Sequence, residues 1–298
     1  MVAGRPVIFG EVLFDCFEEE ITLGGAPFNV AWHLQGFGLN PLFISRVGKD
    51  ELGDRVLASM QRWGMDASGL QRDTDRPTGR VEVKVEAGQP CYDILPDQAY
   101  DFIDHRAVNI VREHGNLAQL YHGTLALRNE VSDATLRAIR DTSQLPVLVD
   151  VNLRPPWWDL SKIGEVLPGT ACIKLNEDEL RLLDRRFPES DSPTRAAQFK
   201  EAHDAGVVLV TQGEDGALAV TPNGLCSTGA HPVDKLVDTV GAGDAFSAVA
   251  IAGILKRWPW ETTLDRAAAF AAWVCGYQGA IREDRAFYEK VLKEWRIG

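Results

Sequence analysis

The 298-residue chain has few features that would staple it, charge it positively or anchor it. Its five cysteines (Cys16, Cys91, Cys172, Cys226, Cys275) are odd in number, lie far apart and form no C-x-x-C pair. That counts against a disulfide framework and a zinc knuckle. Cations are scarce: 31 Lys plus Arg stand against 43 Asp plus Glu, a formal charge of −12, and no basic run offsets it. Such a surface repels nucleic-acid phosphate and anionic membrane, so neither is an expected partner. No stretch approaches the ~18 uninterrupted apolar residues of a membrane span. MVAGRPVIFGEVLFD (1–15) also lacks the apolar core of a signal peptide. The expected location is the cytoplasm.

Several chemistry-bearing motifs are missing too. Gly48-Lys49 is followed by Asp50 and lacks the earlier glycine of a P-loop. No G-x-G-x-x-G opens a helix after the first strand, and neither H-E-x-x-H nor G-x-S-x-G occurs. The six histidines are scattered.

What is present reads as an ordinary globular protein, with 45% hydrophobic and 25% charged residues. Strand-length apolar runs alternate with segments of helical period. PVIFGEVLF (6–14) precedes a helix over Ala26–Phe37, then the strand LFISRV (42–47) and a helix over Asp54–Trp63. Leu117–His122 and Pro146–Val151 are strands flanking a helix at Val131–Asp141. CIKL (172–175), a helix at Glu177–Arg185 and VVLVT (207–211) continue the rhythm. The pattern predicts one α/β domain over 1–298 with a mostly parallel, doubly wound sheet. RVEVKVEAGQPCYDIL (80–95) alternates polar and apolar residues and predicts a hairpin turning near Ala87-Gly88. GALAVTPNGLCSTG (216–229) predicts a second hairpin at Pro222-Asn223-Gly224. From Gly243 onward the pattern is helical, with Ala-rich Asp265–Gly276 expected to be buried.

DTVGAGDAFSAVAIAGIL (238–255) is the strongest local signal. Small residues Gly241-Ala242-Gly243 precede a helix whose free N–H groups suit phosphate. Asp244, in the first turn, is either a proton acceptor for an attacking hydroxyl or a plain complement to the helix dipole. In LGGAPFNVAWHLQGFG (23–38), Gly25 permits close approach and Asn29 offers a donor and an acceptor; a simple capping turn is the other reading. DVNLRPPWW (150–158) sets Asp150, Asn152 and Arg154 past a strand's carboxyl end, where open sheets bind ligands, although Arg154 could equally serve a surface ion pair. In KLNEDEL (174–180), Asn176 and Glu179 lie side by side on a helix start, as metal or phosphate groups or as a capping box. Asp15 is a turn residue or a hydroxyl acceptor. VTQGEDGALAV (210–220) either lines a cleft through Thr211, Gly213 and Gly216 or is a bare strand–turn–hairpin.

Taken together, Gly24-Gly25-Ala26-Pro27-Phe28-Asn29 and Asp238-Thr239-Val240-Gly241-Ala242-Gly243-Asp244, about 200 residues apart, resemble the two motifs of the PfkB-type, ribokinase-like sugar kinases. The resemblance spans essentially the whole chain. It implies a three-layer α/β/α doubly wound sheet with a small β-lid, built mainly by 80–95 and part of 11–23. It implies Asp244 as catalytic base, with Gly241, Ala242 and Gly243 as the anion hole. It implies sugar held by Asp15, Gly25, Asn29, Tyr92 and Arg154, and ATP held by Lys174, Asn176, Glu179, Thr211, Gly213 and Gly216. Glu179 would act on Mg²⁺ through water, and Asp238 and Val240 would flank a monovalent cation such as K⁺. Tyr92 stacks on the sugar or packs within its hairpin. Homodimers through the lid are a further implication. Val249 departs from the small residue usual five positions after the base. Gly-Gly-Ala-Pro-x-Asn-Val-Ala with Asp150, Asn152, Arg154 and Trp158 looks most like fructokinases. Kinases of 2-keto-3-deoxygluconate or nucleosides, and a non-catalytic sugar-binding regulator on the same fold, are the alternatives.

Overall fold

The computed structural model describes residues 4–17, 20–86, 89–184, 190–233 and 235–296. In chain order the elements are β1 (Arg5–Phe9), β2 (Leu13–Cys16), β3 (Ile21–Gly24), α1 (Ala26–Gly36), β4 (Leu42–Gly48), α2 (Glu51–Trp63), β5 (Leu70–Asp73), β6 (Gly79–Glu86) and β7 (Gln89–Ile94). They continue as α3 (Arg106–Glu113), β8 (Leu117–His122), α4 (Glu130–Ser143), β9 (Val147–Asp150), α5 (Leu160–Val166), β10 (Cys172–Asn176), α6 (Glu177–Leu183) and α7 (Ser192–Ala202). The remainder is β11 (Val207–Thr211), β12 (Ala217–Thr221), β13 (Gly224–Thr228), α8 (Ala242–Lys256), α9 (Trp260–Cys275) and α10 (Arg285–Arg296).

Nine strands form one sheet in the order β13-β12-β11-β10-β9-β8-β1-β4-β5. The seven strands from β11 to β5 run parallel, and β12 and β13 add an antiparallel edge. Strands buried on both faces need apolar side chains at successive positions, which is why they read as unbroken runs. Ile8 and Tyr121 point into one core with α1, α2, α8, α9 and α10, whereas Val7, Phe9 and Leu120 point into the other with α3, α4, α5, α6 and α7. The result is the expected three-layer α/β/α sandwich.

A second sheet, in the order β3-β2-β6-β7, stands over the carboxyl end of the first. Leu13, Val81, Val83 and Ile94 on its inner face pack with Tyr100, Leu125 and Ala126.

Three expectations are corrected. PVIFGEVLF is not one strand: the chain breaks at Gly10 (φ +148°), leaves the large sheet after β1 and opens the small one as β2. The helix expected at Asp54 begins at Glu51, because the Asp50 side chain accepts from the Gly53 amide and caps it. Asp265–Gly276 is buried along one face only, through Ala267, Phe270 and Val274. The helix buried nearly all round is α8, from Ala245 through Gly253, so Val249 lies wholly in the core. The turn expected at Ala87-Gly88, and the helix end at Arg185, lie outside the described residues.

Candidate active site

The crossing of β1, β9, β10 and β11 into their following segments gathers polar groups at one end of the large sheet. Two helices, α1 and α8, begin there. At the start of α8, Gly241 adopts φ +80° as the N-terminal cap. A Cβ at Gly241 would overlap both Cβ and Cα of Ala280, so glycine is required both by dihedral and by packing. The left-handed conformation alone costs a non-glycine residue about 1–2 kcal/mol. Gly241→Ala is therefore expected to lower the melting temperature. Ala280→Gly in the same chain removes the closer of the two overlaps and should restore part of the loss; no recovery in a thermal melt would leave the dihedral and the main chain of residue 280 as the constraint.

Asp244 sits in the first turn of α8, partly buried. Its Oδ2 accepts a 2.7 Å hydrogen bond from Asn29 Nδ2, across 215 residues of sequence. Burial raises its pKa to about 6, the Asn29 bond works against that rise, and the Asp150 charge adds to it. Asn29 is 4% exposed, and its Oδ1 has no hydrogen-bond partner among the described residues. The amide thus holds Asp244 with one end and presents an acceptor with the other.

Below Asp244 lies a network the sequence did not announce. Both oxygens of Asp150 accept from Lys174 Nζ at 3.0 Å. Asp150 Oδ2 also accepts from Ser247 Oγ at 2.8 Å and from the Tyr121 hydroxyl at 3.3 Å. Burial works against the Lys174 ammonium, yet Asp150, with Glu179 and Asp244, outweighs it and holds the pKa above its ordinary value. A Cβ on Gly243 would come within 3.1 Å of Lys174 Nζ, so the cation lies directly under the first turn of α8. Lys174, read from sequence as a nucleotide ligand, is in fact turned inward onto Asp150. Ser247 lies one turn beyond Asp244, so the network ties α8 to β8, β9 and β10.

Asn176 and Glu179 form a capping box at α6: Asn176 Oδ1 accepts from the Glu179 amide and Glu179 Oε2 from the Asn176 amide, each at 2.8 Å. Glu179 Oε1 also accepts from the Leu153 amide at 2.7 Å, which fixes the segment after β9. The carboxylate is 8% exposed, and burial raises its pKa. It is not a solvated helix-face charge.

On the small-sheet side, Gly25 (φ +105°) lies against the main chain of Glu11 and Val12, where a Cβ would come within 2.9 Å of the Glu11 carbonyl. Asp15, on β2, is half-buried, and burial raises its pKa to about 6, opposed by Arg154. Tyr92 stands opposite Val83 on β7 but is 49% exposed and feels the charges of Asp15 and Arg154. It therefore faces the cleft at the outer end of the sheet's inner face. Arg154 is exposed and has no ion-pair partner among the described residues. Thr211 ends β11 beside Asn176, and Gly213 and Gly216 turn the chain into β12. Asp238 accepts from the amides of Val240 and Gly279, each at 3.0 Å, which joins its loop to the segment before α10. Asp15, Asn29, Tyr92, Arg154 and Asp244 are thus brought to one cleft. Glu11, Tyr121 and Ser247, buried beneath it, were missed; only the Gly-Glu pair that follows β1 offered a sequence signal.

Fructokinase of Salmonella typhimurium is 28% identical over 268 residues, spanning 85% of this chain and 84% of that one. The 2-dehydro-3-deoxygluconokinase of Bacillus subtilis is 29% identical over 275 residues, spanning 84% and 79%. Fructokinase with bound ATP from Xylella fastidiosa shares the fold, with a TM-score of 0.83 over 98% of this chain and 99% of that one at 21% identity. The family model for pfkB family carbohydrate kinases matches residues 2–285. Because that match runs from before β1 to the first residue of α10, it takes in both glycine motifs and the cleft between them, and the chain belongs to the pfkB family of carbohydrate kinases.

Proposed function

We propose that this sugar kinase transfers the γ-phosphoryl group of ATP to a primary hydroxyl of a hexose, fructose first among the candidates. The observation that carries the reading is Asp244 at the start of α8, oriented by Asn29 at 2.7 Å. The acceptor oxygen attacks the γ-phosphorus, its proton passes to the Asp244 carboxylate, and the bond to the bridging oxygen of ADP breaks. The Ala242 amide donates to the Thr239 carbonyl, and the amides of Gly243 and Asp244 after it face the charge that develops on the phosphoryl oxygens. Asp15, Gly25, Asn29, Tyr92 and Arg154 hold the sugar, and Asn176, Glu179, Thr211, Gly213 and Gly216 line the nucleotide side. The small sheet acts as a lid that excludes water and limits idle hydrolysis.

No group of three or more His, Cys, Asp or Glu that could cage a metal occurs among the described residues. Mg²⁺ fits as the hydrated partner of ATP, offsetting phosphate charge when bound. Glu179, with both oxygens committed to backbone amides, meets it through water. Asp238 and Val240 flank the place for K⁺. An intact base and anion hole favour catalysis over a retired, sugar-binding regulator.

ADP release with Mg-ATP, measured across fructose, 2-keto-3-deoxygluconate, ribose, mannose, glucose and adenosine, tests the proposal. Fructose is expected to give the highest kcat/KM. Release no faster with any acceptor than without one would overturn it.

A further inference from the structure

Glu11 follows the break at Gly10, where the chain crosses from the large sheet to the small one. It is 3% exposed, and its Oε2 is buried without a hydrogen-bond partner among the described residues. It feels the charges of Asp244 and Arg154, and that of Arg128. Arg128 donates Nε and Nη2 to Asp101 at 2.7 Å and Nη2 to the Leu95 carbonyl at 2.6 Å, which leaves Nη1 buried and unpartnered. The guanidinium lies 4.4 Å over the Trp157 ring and 5.3 Å from the Tyr100 ring centre. The fully buried Tyr100 hydroxyl lies beside that guanidinium but makes no well-formed hydrogen bond. Three chain segments thus bring together an unpaired acceptor, an unpaired donor and a hydroxyl that can be either. Buried polar groups in folded proteins almost always find partners.

We propose that Glu11, with Tyr100 and Arg128, receives the hydroxyl-bearing end of the acceptor remote from the transferred oxygen, and so selects a neutral polyhydroxy sugar over a sugar acid. The proposal rests on the kinase reading of the cleft. A ligand hydroxyl both donates and accepts, so it can satisfy the Glu11 carboxylate and the Arg128 N–H at once. A carboxylate can only accept, so above pH about 7, where Glu11 is ionised, it would leave Glu11 unpaired and be repelled by it; the binding comparison belongs at pH 8. Charge argues the same way. Arg128 is paired with Asp101 and Lys174 with Asp150, so of the cations that act on Glu11, Asp15 and Asp244 only Arg154 has no carboxylate partner among the described residues. Burial pushes the Glu11 carboxyl up to about 7 against one backbone hydrogen bond, and a bound hydroxyl would supply a donor to the oxygen left over.

Calorimetric titration of fructose and of 2-keto-3-deoxygluconate, without nucleotide, reads this site independently of turnover. The wild-type protein is expected to bind fructose the more tightly. Glu11→Gln should weaken fructose binding by about 10- to 100-fold and narrow the preference between the two sugars. Tyr100→Phe, which removes only an oxygen, should weaken fructose by about 3- to 10-fold. In turnover the same losses should fall on KM for the sugar rather than on KM for ATP. Folded variants that keep the wild-type preference, tighter binding of the acid by the wild type, or no binding of either sugar would each overturn the assignment. Selective sugar binding without ADP release would support it and overturn the kinase reading instead.

Discussion

Asp244→Asn is expected to lower kcat by about 10²- to 10⁴-fold, the usual worth of a positioned general base. The substitution keeps the shape of the side chain, and its carbonyl oxygen can still accept from Asn29, so geometry survives while the proton acceptor is lost. Two further readouts separate this from misfolding. Burial raises the Asp244 pKa to about 6, so the wild-type rate should fall about tenfold per pH unit below that value, and the variant should lack this acidic limb. The sign for stability is opposite. A carboxyl whose pKa is raised on folding contributes stability at low pH and loses it as pH climbs through about 6. At pH 8 the native charge is a cost, and the neutral Asn variant should melt no lower than the wild type. Steady-state kinetics from pH 5 to 9, with thermal melts at pH 8, give all three results. A variant within tenfold of the wild-type kcat would remove Asp244 from the chemistry.

The parts of this fold that could be read from sequence are those specified by short-range pattern. β8 and β11 are central parallel strands, buried on both faces, and their apolar runs end where the strands end. The start of α8 was legible because Gly241, Gly243 and Asp244 carry their meaning within four positions. Gly10 was not legible, since the apolar run continues on both sides while the chain changes sheets. Short α5, with Asp159 as its cap, rests on tertiary packing more than on its own periodicity. The Asp150 network was hidden for a different reason: its contacts span 24, 29 and 97 residues of sequence. Nothing local to Lys174 shows that it turns inward; a lysine at a strand end reads equally well as a ligand for phosphate. Asn29 was read as facing sugar, and its bond to Asp244 emerges only when α1 and α8 start side by side.

Lys174→Met should produce the largest loss of stability. The side chains of Lys174 and Asp150 are 8% and 1% exposed, so removing the cation leaves a buried carboxylate with only Ser247 and Tyr121 as donors. Breaking such a pair from one side costs about 3–5 kcal/mol, which in a domain of this size lowers the melting temperature by about 5–10 °C. Lys174→Met combined with Asp150→Asn removes both charges and should recover much of that loss, a coupling that a double-mutant cycle measures. Rate distinguishes a structural tie from an electrostatic one. The ammonium lies under Gly243, so it also offsets charge where the phosphoryl group is received. Well below its melting temperature, Lys174→Met is therefore expected to lose about 10²-fold in kcat, and the double variant should not regain it. If the double variant recovered stability and rate together, Lys174 would serve only to neutralise Asp150. If it recovered stability alone, the cation would act on the phosphoryl group through the backbone it supports.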